Sequence, residues 1–319
     1  MSRVLGIALS TALFVSVASA PAHAATTVTE LDRLPGATAH QAEAVNDAGV
    51  AVGTATVGGQ IRAVRWEADG GIRDLGGPAG APDIRAKAVN NAGVVAGQVG
   101  TKAALRFDLD GTHTVLSTPP ERYTAVTGID DTGVVYGYYL DSVKLTEWVA
   151  VRWDVHGVPS PLAVPAGTRF SQVNSVSANG FATGWIDDGA TRAVRWNPDG
   201  SYTLLDSSWS RSSKGTGVNK HGDVVGESEG RSVRWNRNGS TAEFSGNGRA
   251  AWIDDSGSVV STVNSKPYRW NAAGERSALP LPADTYIGRV TAVNGGGVAV
   301  GSAGDADEIA RTAVRWTAG

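Results

Sequence analysis

The 319-residue chain contains no cysteine. Disulfides, thiolate nucleophiles and sulfur redox chemistry are therefore excluded, and stability must come from burial of a core. Histidine is scarce as well. Outside the N-terminal segment only His40, His113, His156 and His221 remain, and none lies within metal-chelate spacing of another. Charged residues make up 18% of the chain and the formal net charge is -3. No run of Lys or Arg forms a stripe that could follow a phosphate backbone, which argues against nucleic acid as a partner. Also missing are a Gly-x-Ser-x-Gly elbow, a phosphate-binding loop and a dinucleotide fingerprint.

Only one apolar run is long. It extends from Val4 to Ala20, follows Arg3 and ends at Pro21 before the small-residue site Ala22-His23-Ala24. Serines at 10, 16 and 19 interrupt it, so the pattern reads as a secretory signal peptide over 1–24 rather than a retained membrane helix. The expectation is a secreted, extracellular protein of about 295 residues with no membrane insertion after cleavage.

What the mature chain does have is a repeat. A hydrophobic residue, an Arg and an aromatic recur at Arg65-Trp66, Arg106-Phe107, Arg152-Trp153, Arg195-Trp196, Arg234-Trp235, Arg269-Trp270 and Arg315-Trp316. The aromatics stand 35 to 46 residues apart, and all but the last are followed four residues later by Gly. Such a period signals a repeat architecture. Each repeat opens with an apolar segment and a turn such as Asn46-Asp47-Ala48-Gly49, then a β-branched run; the turn recurs at Asn90, Asp130, Ser177, Asn219, Asp254 and Asn294. Asn and Asp side chains bond turn amides and Gly accepts positive φ, so each turn position has a local reason. A variable loop leads to the Val-Arg-Trp strand, and a second tight turn, as in Asp69-Gly70, leads to a fourth short strand. Repeats start near 42, 86, 126, 173, 215, 249 and 290.

The seventh repeat ends after its third strand, while a spare strand, 28–34, precedes the first. The sequence therefore predicts an all-β fold over 25–319: a seven-bladed β-propeller of four-stranded blades, the last blade closed by the N-terminal strand. The Ala-Val-Asn-x-x-Gly unit, the Val-Arg-Trp strand and Asp74-Leu75-Gly76-Gly77 resemble the bacterial extracellular HAF-repeat family. The resemblance covers essentially the whole mature chain but departs at the name-giving His-Ala-Phe tripeptide. It implies secretion and a repeated β architecture, and carries no particular activity.

The repeated arginines and aromatics read as structure, the arginines pairing with turn carboxylates such as Asp47, Asp131 or Asp255 and the aromatics filling the core. Both kinds of tight turn fall at one end of the ring, so the opposite end carries the variable loops. To these the sequence assigns the non-repeating aromatics Tyr123, Tyr138, Tyr139, Trp148, Trp185, Trp209 and Tyr286. Aromatic faces beside polar groups, here Asp187 and Asp188, suit a glycan or a protein hot spot. Six repeats have a small residue where the sixth has Trp252, which is expected to narrow or plug the central channel or to reflect different packing of that blade. The expected function is a non-catalytic, monomeric module that binds an extracellular glycan or protein. The alternatives are an adaptor subunit, or a polysaccharide-acting enzyme using Asp187, Asp188 or Asp305 as acid and base. No cofactor is expected; calcium is left open at the acidic loops, Asp108-x-Asp110-Gly111 being too short a fragment of a calcium loop.

Overall fold

A computed structural model describes residues 26–119, 122–141, 148–205, 212–244, 252–305 and 311–317. The expected signal segment and Trp209 lie outside them. The described residues form strands and no helix. The first sheet runs Ala37–Val45, Ala51–Val57, Gln60–Trp66 and Ile72–Asp74 in that spatial order, each strand antiparallel to the next. The same four-stranded arrangement recurs over 84–115, 122–161, 170–204, 213–243, 252–278 and 287–317. The third and fourth groups join into one eight-stranded sheet through a single parallel bridge between Trp148 and Phe170.

The last group takes its fourth strand from the other end of the chain. Thr27–Glu30 pairs with Arg311–Thr317, setting Val28 opposite Trp316. This strand is shorter than the expected 28–34. After one more bond, from the Leu31 N–H to the Ala313 carbonyl at 2.9 Å, the chain turns away and the Asp32 carbonyl accepts the Trp66 indole.

Strand alternation divides the Val-Arg-Trp triplet between two neighbours. The aromatic faces the preceding sheet: Phe107 packs with Val52 and Ala63, Trp153 with Ala96 and Leu116, Trp196 with Ala150 and Leu162. Trp66, in the first sheet, packs with Val300 and Ala313 of the last. Each of the seven hydrophobic clusters thus lies between two sheets. Tryptophan adds a polar anchor that phenylalanine lacks. The indole N–H groups of Trp66, Trp153, Trp196 and Trp316 donate to carbonyls of Asp32, Ser117, Ala163 and Pro280 at 2.6–2.8 Å.

The arginines reach the other way. Three pair with turn carboxylates, though not with the ones expected: Arg65 with Glu67 at 2.7 Å, Arg106 with Asp108 at 3.2 Å and Arg269 with Asp254 at 3.4 Å. Arg65, Arg195, Arg234, Arg269 and Arg315 each donate to the carbonyl of the turn glycine in the following sheet: Gly93, Gly222, Gly257, Gly297 and Gly49. Arg106 donates to the Val155 carbonyl. Those turn glycines all have φ between 80° and 85–86°, a conformation that turns their carbonyls outward at little cost. The Arg195 guanidinium also lies 5.6 Å from the Phe181 ring centre.

The carboxylates named in the sequence reading, Asp47, Asp131 and Asp255, are used around the axis. Asp47 accepts from the Gly295 N–H and from Asn91 Nδ2, and Asp131 accepts from the Asn91 N–H. Asp255 pairs with Lys220 at 3.0 Å. Beneath this belt the first turn residue has two roles. Its Oδ1 accepts its own turn's N–H, while Nδ2 of Asn46, Asn90, Asn219 and Asn294 donates to the equivalent carbonyl of the next sheet.

His40 ties the first strand to the N-terminal segment. It is 2% exposed, with Nε2 3.1 Å from the Leu31 carbonyl oxygen and Nδ1 without a partner among the described residues. Burial pushes its pKa below the ordinary imidazole value, against the bond to Leu31, which raises it; Arg33 adds to the lowering. Below about pH 6.5 the unfolded chain takes up a proton that folded His40 resists. Its contribution to stability is thus whole above that pH and is lost as the pH falls toward the depressed folded value. Thermal melts between pH 7.5 and 5 should show this loss, and His40→Gln, which can still donate to Leu31, should flatten it.

Candidate functional site

At the end opposite the tight turns, three of the non-repeating aromatics meet. Tyr138 and Trp148 stack with centroids 5.5 Å apart and planes 8° from parallel, and Trp148 lies 5.8 Å from Trp185 at 51°. Lys214 Nζ sits 5.1 Å from the Trp185 ring centre, close enough for a cation–π contact. The ladder crosses from the third sheet through the fourth to the fifth. All three rings are half-buried, and burial pushes the Tyr138 phenol above its ordinary pKa.

These aromatics stand on strands rather than loops, which differs from their assignment by sequence. Tyr138 and Tyr139 lie in Val135–Asp141, Trp148 in Trp148–Trp153, Trp185 in Ala182–Asp187 and Tyr123 in Arg122–Ile129. The strands extend further toward this end than the repeat unit implies. Register explains the clustering: Tyr123 is opposite Leu140, which is opposite Trp148, so Tyr123, Tyr138 and Trp148 share one face of the third sheet. Tyr139, on the other face, is buried edge-on to Trp153. Tyr123 is 42% exposed; Tyr286 is 62% exposed but stands apart, just before the first strand of the seventh group.

Asp187 and Asp188 serve the local turn. Asp187 Oδ1 accepts the Gly189 N–H at 3.1 Å, and Asp188 pairs with Arg192 at 2.8 Å. No group of three or more His, Asp or Glu side chains among the described residues is placed to hold a metal ion.

The sequence reading missed a second feature, on the axis. In six of the inner strands a β-bulge sets one residue outside the cross-strand register: Glu43, Lys87, Thr127, Asn174, Thr216 and Thr291. A bulge re-aims its extra side chain, and all but Thr216 line an axial cavity of about 280 Å³. Their sequence signal is a polar residue directly before the small position, which plain strand alternation does not interpret. Trp252 lines the same cavity, half-buried, and packs against the clusters on both sides of the seventh group. One level further, Val45, Val89, Ile129, Val176, Val218, Ile253 and Val293 form an aliphatic collar between this cavity and the polar turn-side mouth, since they line both.

Ladder and cavity are connected. Trp185 is the cross-strand partner of Gln172, whose Nε2 donates to Asn174 Oδ1 at 2.9 Å. Asn174 in turn donates to the carbonyl of Gly215, the residue after Lys214, at 2.7 Å. A polar path therefore leads from the aromatic rim to the axial wall.

No protein-family model and no curated protein matches the chain. Solved structures do. A streptogramin B lyase is 11% identical at a TM-score of 0.63, covering 92% of this chain and 98% of that one. A catalytically inactive virginiamycin B lyase from Staphylococcus aureus, solved with quinupristin, is 15% identical at 0.62, covering 92% and 99%. An oligogalacturonate lyase from Vibrio parahaemolyticus is 11% identical at 0.59, covering 91% and 93%. At such identities the likeness is one of fold, all-β and propeller-like.

Proposed function

We propose that the chain is a secreted, non-catalytic binding module: a closed seven-bladed β-propeller, divergent within the HAF-repeat family, that holds an extracellular glycan at the end bearing its variable loops. Seven four-stranded groups, seven clusters between them and the pairing of Thr27–Glu30 with the last group support the closed ring. The observation that carries the binding reading is the ladder of Tyr138, Trp148 and Trp185 beside Lys214. It departs from the repeat where three sheets meet, and rings next to polar donors are what stacking on a sugar face requires. The engagement of Asp187 and Asp188 in local bonds supports a non-catalytic role.

The double variant Trp148→Ala/Trp185→Ala is expected to lose glycan-array binding by at least tenfold, the scale of losing a central aromatic anchor. Unchanged binding would move the ligand off this face. Retained capture of a secreted protein by the wild type, with no glycan signal, would replace the glycan by a protein partner.

A further inference from the structure

We infer that the axial cavity is a subsite for one neutral pyranose ring, the end residue of a glycan chain whose following residues lie on the aromatic ladder. This rests on the glycan reading of the ladder and assigns the part of the chain each region takes.

Four observations converge. The first is Trp252, the one large aromatic at a position where the other sheets carry Ala44, Ala88, Gly128, Ser175, Gly217 and Ala292. It brings a flat apolar surface to the wall of a concave space, and sugar rings stack on such surfaces through their C–H faces. The second is the set of hydrogen-bonding groups on the same wall. Glu43 accepts, Lys87 donates and Asn174 can do both, each placed there by a bulge. The third is charge balance. Lys87 Nζ stands 3.6 Å from Glu43 Oε1, so this part of the wall offers no uncompensated charge and suits a polyol better than an anion or cation.

The fourth is size and direction. About 280 Å³ lies below the usual range for drug-sized ligands and accommodates a single ring rather than an internal stretch of chain. The aliphatic collar bounds the cavity on the turn side. Glu43, Lys87 and Asn174 precede the collar in their strands and so lie toward the loop end, where Gln172 joins Asn174 to Trp185. A chain therefore enters end-first from the loop side and leaves along the ladder.

The test is calorimetry of the mature chain with neutral hexasaccharides: cellohexaose, laminarihexaose, xylohexaose, mannohexaose and N-acetylchitohexaose. Trp252→Ala installs the residue three sheets already have, so folding should survive, as a thermal melt will check. A hexasaccharide that binds the wild type should lose at least tenfold in affinity with Trp252→Ala, and Trp252→Phe should stay within a few-fold. Hydrogen exchange of the wild type, which needs no variant, should show protection by the same probe over the inner strands at 41–45, 84–89 and 170–176. If Trp252→Ala binds as the wild type does, or those strands gain no protection, the axial subsite is wrong. Loss in Trp148→Ala/Trp185→Ala alone would then leave the ladder reading intact. A wild type that binds none of the probes overturns both.

Discussion

Gly184→Ala is expected to destabilise the fold by roughly 3 kcal/mol or more, at the upper end for overpacking substitutions, and to lower the melting temperature on the order of 5–10 °C. A Cβ on Gly184 would stand 1.8 Å from the Gln172 carbonyl oxygen. The obstacle is backbone, so no rotamer change relieves it. Equivalent clashes of 1.9–2.3 Å face Gly53, Gly97, Gly137, Gly226 and Gly301. None of these glycines has positive φ. Each is required because the bulged inner strand presses its carbonyl onto the second strand. Gly239 is the useful contrast, with φ of 85° and nothing within 4 Å of an added Cβ. Gly239→Ala should cost only the left-handed penalty, about 1–2 kcal/mol. Equal melting of the two variants would refute the close-approach explanation.

Removing residues 26–34 from the mature chain should have a larger effect. It strips the partner strand from Arg311–Thr317, takes Leu31 out of the cluster between last and first sheets, and removes the acceptors of Trp66 and His40. An unpaired strand edge templates association with other chains. The shortened chain is expected to melt roughly 10 °C lower or more and to elute as oligomers in size-exclusion chromatography. A peptide spanning 26–34 added in trans should restore part of both losses. Monomeric elution with unchanged melting would mean that the ring does not depend on this strand.

The repeat made the architecture legible because the residues that specify turns and core are the residues that recur. Asn46 and Gly49 announce a turn, and Trp66 announces a filled interface. The purpose of Gly53 was not legible. Its neighbour in space is the carbonyl of Gln41, and no local pattern reports a backbone approach between strands. The arginine partners were read only in part, for a related reason. A guanidinium suggests a carboxylate, and Arg65, Arg106 and Arg269 do meet one, but the contact that recurs along the chain is with carbonyls that the left-handed glycines turn toward it. Of the candidate site, the aromatic residues were visible as departures from the repeat. Their meeting was not, because it depends on cross-strand register between Tyr123, Leu140 and Trp148. The axial residues stayed hidden because a bulge shifts the alternation by one, which turns Glu43, Lys87 and Asn174 onto a wall that period-two reading assigns elsewhere.

The opposed reach of Trp and Arg gives the junctions that carry both bonds a polarity. Indoles donate backward, to the preceding sheet, and guanidiniums and turn amides donate forward, to the following one. Such contacts are heterologous, head to tail, and would continue without limit unless the accumulated rotation returned to its start. A sheet is thus interchangeable as a joint even where its loops are not. Copying a unit that carries the Trp, the Arg and the turn Asn into the place of another such unit would preserve the couplings on both sides, whereas new termini opened at a tight turn would cut into the acceptors of the guanidiniums. The frame can be reshuffled while its rim diverges.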